Sequence, residues 1–278
     1  MGTIVDFSWL LEHLNDSNVI IADCRFALGQ PNTGRTAYES GHIPGAVYFD
    51  LERDLSAPIG EHGGRHPLPD VALFARALGQ AGIDSSKTVV VYDDQGGAMA
   101  SRLWWMLRYV GHDKVKLLDG GFGSWQTAGH PVSTETPKVA ETVFRAVPQP
   151  DMLLSMEDVK SRLGAAGTTI IDSREPRRYL GLEEPIDPVA GHIPGAVNHF
   201  WKQSLDEAGR WKRAEGQRER FAGLNPDEEI VVYCGSGVTA CPNVLALTEA
   251  GFTNVKLYGG SWSDWISYSE NPIATGEE

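Results

Sequence analysis

One cysteine, Cys234, stands between the apolar run Ile-Val-Val-Tyr and the small-residue loop Gly235-Ser236-Gly237-Val238-Thr239. A thiol reacts as its thiolate, so the surroundings must favour negative charge on sulfur. Two glycines in five residues let the backbone curl and turn successive N–H groups inward, forming an anion-binding nest. A helical pattern follows the loop, and the positive end of a helix dipole acts in the same direction. The same donors would hold the charge of a persulfide, Cys–S–S⁻. Most cysteines are small buried hydrophobes; at 234 the loop argues for nucleophilic chemistry, provided that solutes can reach the sulfur. Cys241 lies inside the helical pattern, and Cys24 sits beside a strand, so both read as core residues.

The elements that must position Cys234 are written twice. GHIPGAV occurs at 41–47 and again at 191–197. Around it, IIADCR pairs with TIIDSR, TVVVYDDQGG with EIVVYCGSG, and VKLLDGGFGSW with VKLYGGSWSDW, in the same order. Such a repeat indicates duplication of one unit. Runs such as VIIAD, TVVVYD, TIIDS, EIVVYC and NVKLY are continuously apolar, as in strands covered on both faces. ALFARALGQAGI, ASRLWWMLRYVG and GVTACPNVLALTEAG carry helical spacing and end at glycine. The expectation is an α/β chain of two similar domains, each a mostly parallel sheet with helices on both faces. The boundaries are 1–135, a proline-bearing linker at 136–151, and 152–278. The position matching Cys234 in the first half is Asp93, which cannot carry sulfur; the second half is therefore the catalytic one.

Length and composition agree with two soluble domains: 278 residues, 41% hydrophobic and 22% charged. The net charge of −13 speaks against nucleic acid as a partner but leaves room for a local cationic pocket. No apolar run approaches the ~20 residues of a membrane span, and the N-terminus lacks the basic region of a secretory signal. Three cysteines cannot all pair, which suits a reducing compartment and makes cytoplasm the expectation. The eight histidines are scattered, no CxxC occurs, and no glycine-rich phosphate fingerprint follows a strand, so neither a metal nor another cofactor is expected.

Tandem HIPGA-bearing halves with one cysteine in the second resemble the rhodanese-type sulfurtransferases over nearly the whole chain. The loop CGSGVTA at 234–240 is similar to that of the branch acting on 3-mercaptopyruvate; the thiosulfate-using branch has an arginine–lysine pair after the cysteine. The resemblance implies that Cys234 takes sulfane sulfur from a donor, then passes it to thioredoxin, another thiol or cyanide. It implies a substrate-binding loop of Gly235, Gly237, Val238 and Thr239, and a donor carboxylate gripped by Arg178, whose planar fork suits that task. It further implies a Ser–His–Asp relay, with Ser236 as the serine and His42 as the histidine, and with the acid unplaced. Arg174 and Arg25 occupy matching places and read as structural. The chain departs from the pattern in GLEEPIDPVAGHIPG, where Ile186 and Asp187 stand in place of a second arginine. Arg178 alone is therefore expected to anchor the carboxylate.

Charge logic supports the same donor independently. Thiosulfate is a compact dianion best held by two adjacent cations, whereas 3-mercaptopyruvate needs one guanidinium and neutral donors near its ketone. A thiosulfate:cyanide sulfurtransferase is the alternative, and a non-catalytic binding module is the alternative of another class. A phosphatase needs arginine six places after the cysteine, where this chain has Ala240.

Overall fold

A computed structural model describes residues 2–30 and 32–277 and divides into two compact units. Unit 1 comprises residues 1–57, 69–149 and 207–211; unit 2 comprises 58–68, 150–206 and 212–278.

Unit 1 is built on five parallel strands, β1 (Ile4–Val5), β2 (Val19–Asp23), β3 (Val47–Tyr48), β4 (Thr88–Tyr92) and β5 (Val115–Leu118), in the order β1-β5-β4-β2-β3. Its helices are α1 (Phe7–His13), α2 (Thr33–Ser40), α3 (Val71–Gln80), α4 (Ala100–Tyr109) and α5 (Gly121–Thr127). Unit 2 repeats the plan with β6 (Leu153–Leu154), β7 (Thr168–Asp172), β8 (Val197–Asn198), β9 (Glu229–Tyr233) and β10 (Val255–Tyr258), in the order β6-β10-β9-β7-β8. Helices α6 (Met156–Lys160), α7 (Pro176–Tyr179), α8 (Ala214–Arg220), α9 (Cys241–Ala250) and α10 (Ser261–Trp265) complete it.

The apolar runs become strands because each is covered on both faces. Val89, Val90 and Val91 of β4 and Ile230, Val231 and Val232 of β9 have no exposed surface. Asp23 pairs in register with Tyr92, and Asp172 with Tyr233. Asp93 and Cys234 therefore occupy the same place, one residue beyond the carboxyl end of the equivalent strand. Helix α9 begins at Cys241 rather than at Gly237, where helical spacing first appears, because residues 235–240 are spent on the loop.

The repeated heptapeptide has a packing role. His42 stacks on Tyr38 at 4.0 Å, and its Nδ1 and Nε2 lie 2.8 and 3.1 Å from the carbonyls of Tyr38 and Glu135. His192 stacks on Tyr179 at 3.9 Å with Nδ1 2.7 Å from the Tyr179 carbonyl. The backbone N–H groups of Ile43 and Ile193 donate to the phenols of Tyr92 and Tyr233. Arg25 and Arg174 likewise play one part, each gripping the aspartate two residues earlier and a glycine carbonyl, of Gly41 and Gly191 respectively. Residues 136–149, expected as linker, run along unit 1, where Thr142 N–H donates to the Gly79 carbonyl and Val147 N–H to that of Val110.

Candidate active site

Strand β9 delivers Cys234, and three anchors fix the backbone of Cys234 and Gly235. Its N–H donates to the Ser261 hydroxyl at 3.1 Å, its carbonyl accepts from Trp262 N–H at 2.9 Å, and the Gly235 carbonyl accepts from Ser263 N–H at 2.9 Å. Ser261 holds φ +57°, and its hydroxyl donates to the Tyr258 carbonyl at 2.9 Å. The matching residue of unit 1 is Gly121, at φ +63°. At Gly237 the loop turns with φ +75°, and any side chain there would collide with the Gly259 carbonyl. Cys234 is 1% exposed, Val238 is buried, and Thr239 is half-buried.

Unit 1 shows what a loop of this shape does with a charge. The buried Asp93 carboxylate accepts four backbone N–H bonds: Gln95 and Gly97 at 2.8 Å on one oxygen, Met99 at 2.7 Å and Ala100 at 2.9 Å on the other. Burial pushes this carboxyl above its ordinary value, and the four amides pull it back. Counted from Cys234, the same positions are Ser236, Val238, Ala240 and Cys241.

The histidine beside Ser236 is His66, with Nδ1 2.8 Å from Oγ and both residues 6% exposed. This corrects the expectation of His42, whose two ring nitrogens face backbone carbonyls within unit 1. His66 belongs to unit 2 because the segment 58–68, although written in the first half, docks there. Gly63 N–H donates to Asp264 at 2.7 Å, Arg65 N–H to Ser263 Oγ at 3.1 Å, and His62 stacks on Tyr268 at 3.9 Å.

Arg178, on α7, is gripped by Glu184 and by Asp187 at 3.0 Å. Arg65 forms a second ion pair with Asp187. Both guanidiniums lie over Gly235: a Cβ built there would be 3.0 Å from Arg65 Nη2 and 3.5 Å from Arg178 Nη2. Arg178, expected to anchor the donor carboxylate alone, thus has a second guanidinium beside it. Arg177 points outward and pairs with Glu183. The other two thiols are core residues. Cys24 is pushed well up by burial and by the Asp23 charge, and Cys241 donates to the Gly237 carbonyl at 3.4 Å. Sequence reasoning missed His66, Arg65 and Ser261; the one signal was that Arg65 and His66 fall in a glycine-flanked loop, GEHGGRHPLP, with no periodic pattern of its own.

Comparison with known proteins matches the rhodanese-like domain family to residues 6–128 and 155–268. A protein of Pseudomonas aeruginosa named "Probable 3-mercaptopyruvate sulfurtransferase" is 44% identical over 273 residues, 96% of each chain. The thiosulfate sulfurtransferase of Gallus gallus is 35% identical over 273 residues, 95% of this chain and 93% of that one. The crystal structure of the 3-mercaptopyruvate sulfurtransferase SseA from Escherichia coli superposes with a TM-score of 0.82 at 35% identity, covering 95% of this chain and 100% of that one.

Proposed function

Because the chain belongs to the rhodanese family, we propose that it is a sulfurtransferase that takes sulfur from 3-mercaptopyruvate onto Cys234 and passes it to a thiol such as thioredoxin, or to cyanide. The observation that carries this reading is the Cys234 loop, with Ser236 and His66 on one side and two guanidiniums over Gly235. The Cys234 thiolate bonds to the donor's sulfur. The carbon–sulfur bond breaks with its electron pair passing into the enolate of pyruvate, and the proton of the donor thiol balances the later protonation at carbon. The product on the protein is a persulfide, whose outer sulfur the acceptor thiolate removes.

Each neighbour has a physical task. Amides at the loop positions that hold the Asp93 carboxylate in unit 1 favour thiolate and persulfide over their neutral forms. When His66 carries its proton on Nδ1 it donates to Ser236 Oγ, leaving the serine hydrogen free for the developing enolate oxygen. Arg178 takes the donor carboxylate. Gly235 and Gly237 bring only backbone, Val238 a small apolar side chain and Thr239 one hydroxyl, so the donor's carbon chain approaches closely. The three free cysteines suit a reducing compartment such as the cytoplasm; among the described residues no helix is long and apolar enough to cross a membrane.

The test is intact-protein mass after incubation with 3-mercaptopyruvate or thiosulfate, beside pyruvate release. The expected result is the gain of one sulfur atom with 3-mercaptopyruvate, absent in Cys234→Ser, and slower loading with thiosulfate. Since Cys234 is 1% exposed, iodoacetamide labelling supplies a second check. Cys234 should be the first thiol modified, and a Cys234 that stays unlabelled in the folded protein would overturn the proposal.

A further inference from the structure

We infer that Arg65 is the second donor-binding cation of this site, standing in for the arginine missing at 186–187, and that Asp187 is the positioning residue that holds it. The inference rests on the sulfurtransferase reading of the same site.

Four observations lead to it. Ile186 and Asp187 stand where the resemblance places a guanidinium, and the second of them is a carboxylate. That carboxylate, its side chain 2% exposed, bridges two arginines, one oxygen paired with Arg65 Nη1 and the other with Arg178 Nη2 at 3.0 Å. The bridge brings the Arg65 fork nearer to the backbone beside Cys234 than the Arg178 fork, at 3.0 Å against 3.5 Å from the place of a Gly235 Cβ. Finally, Arg65 Nε is buried without a hydrogen-bond partner. A buried N–H left unpaired is destabilising, so it marks a place where an acceptor is due. An anionic donor lying over Gly235 supplies that acceptor.

The backbone makes the substitution workable. Arg65 is tied to unit 2 by its own N–H on Ser263 Oγ, and Ser263 N–H in turn holds the Gly235 carbonyl. The loop that carries the nucleophile and the segment that carries the cation thus share one serine. Gly64 precedes Arg65 at φ +77°, its α-carbon so close to the Gly260 carbonyl that a side chain would collide with it. The conformation that aims Arg65 is therefore one that only glycine adopts without strain.

Two cations sharing one acid also bear on donor choice. With Asp187 already between the two forks, a second negative charge on the donor meets a carboxylate at close range. The pair therefore suits the single carboxylate of 3-mercaptopyruvate better than the dianion thiosulfate.

The experiment is steady-state kinetics of the full chain with 3-mercaptopyruvate, reading KM and kcat separately. Arg65→Gln is expected to raise KM about 10-fold or more with kcat within about 3-fold, the signature of lost donor binding. Arg65→Lys should recover part of it, since a point charge replaces a fork. Asp187→Ala should raise KM by less, and Arg65→Gln combined with Asp187→Ala should do less harm than the two single effects combined, because the acid acts in part through Arg65. Arg65→Gln/Asp187→Arg should return KM toward wild type. A KM within about 2-fold of wild type in Arg65→Gln, or additive effects of the two single changes, would overturn the inference. Wild-type protein is loaded in parallel and weighed: an unmodified Cys234 would sink the sulfurtransferase reading as well, whereas a normal wild-type persulfide with an unmoved Arg65→Gln sinks this inference alone. Circular dichroism melts of every variant separate loss of binding from loss of fold; a large KM change confined to variants that melt early would count against it.

Discussion

At the scale of single residues, the most informative is Ser261. A serine at φ +57° costs about 1 kcal/mol relative to glycine, and the equivalent turn of unit 1 uses glycine. What the serine supplies is a hydroxyl that accepts the Cys234 N–H. That bond fixes where β9 ends and how the sulfur enters the loop. Ser261→Gly should relieve the backbone, leaving stability within about 1 kcal/mol of wild type while persulfide formation at Cys234 slows about 10-fold. Ser261→Ala keeps the strain and loses the hydroxyl, so it should be slower and less stable. Stopped-flow pyruvate release and urea melts read both; a Ser261→Gly protein that loads sulfur at the wild-type rate would show that the strained serine does not serve the nucleophile.

The strand–loop–helix element is the unit that the duplication copied, and its two copies carry different residues at the same place, Asp93 and Cys234. In unit 1 the loop after β4 closes on Asp93 with four N–H bonds, so the element is complete without any ligand. Asp93→Ala would leave four backbone donors of the loop and the start of α4 without their acceptor, two of them buried, and should cost about 3 kcal/mol, read as an earlier thermal transition. Asp93→Asn should fall between, since one amide oxygen replaces one carboxylate oxygen; a melt unchanged in Asp93→Ala would deny the loop its anion-holding role. This element was also the most legible in the sequence. Continuous β-branched runs, a glycine loop and a glycine-terminated helix are local patterns, and the repeat supplied the pairing of Asp93 with Cys234. The helix boundary was less legible, because residues 237–240 have helical spacing but are drawn into the curl around position 234. GHIPGAV was the least legible: its identity in both halves marked it plainly, yet only the stacking of His42 and His192 on tyrosine shows why it is repeated.

At the scale of the whole molecule, chain order and unit membership part company. Residues 58–68 fold with unit 2 and residues 207–211 with unit 1, where Arg210 and Trp211 N–H both reach Asp119. A short loop of glycine, proline and histidine has no periodicity to say which sheet receives it. Sequence order therefore assigned His66 and Arg65 to the wrong half, and the search for a relay histidine settled on His42. The acid response is likewise a property of the assembled fold. His199, packed on Phe221 at 5.3 Å, is held down to about 4, first by burial and then by the Arg220 cation, which reaches its carbonyl. Its ordinary value is about 6.5. Above that both folded and unfolded chains leave it neutral, and its full contribution is present. As the pH falls from about 6.5 toward about 4 the unfolded chain takes a proton that the folded one refuses, so stability falls. Discounted for its partial contact with solvent, the loss is about 2 kcal/mol across that window. Urea midpoints at pH 7.5 and pH 4.5 should therefore drop further in the wild type than in His199→Gln, which has no proton to take up; parallel curves for the two proteins would remove His199 as the source of the acid slope.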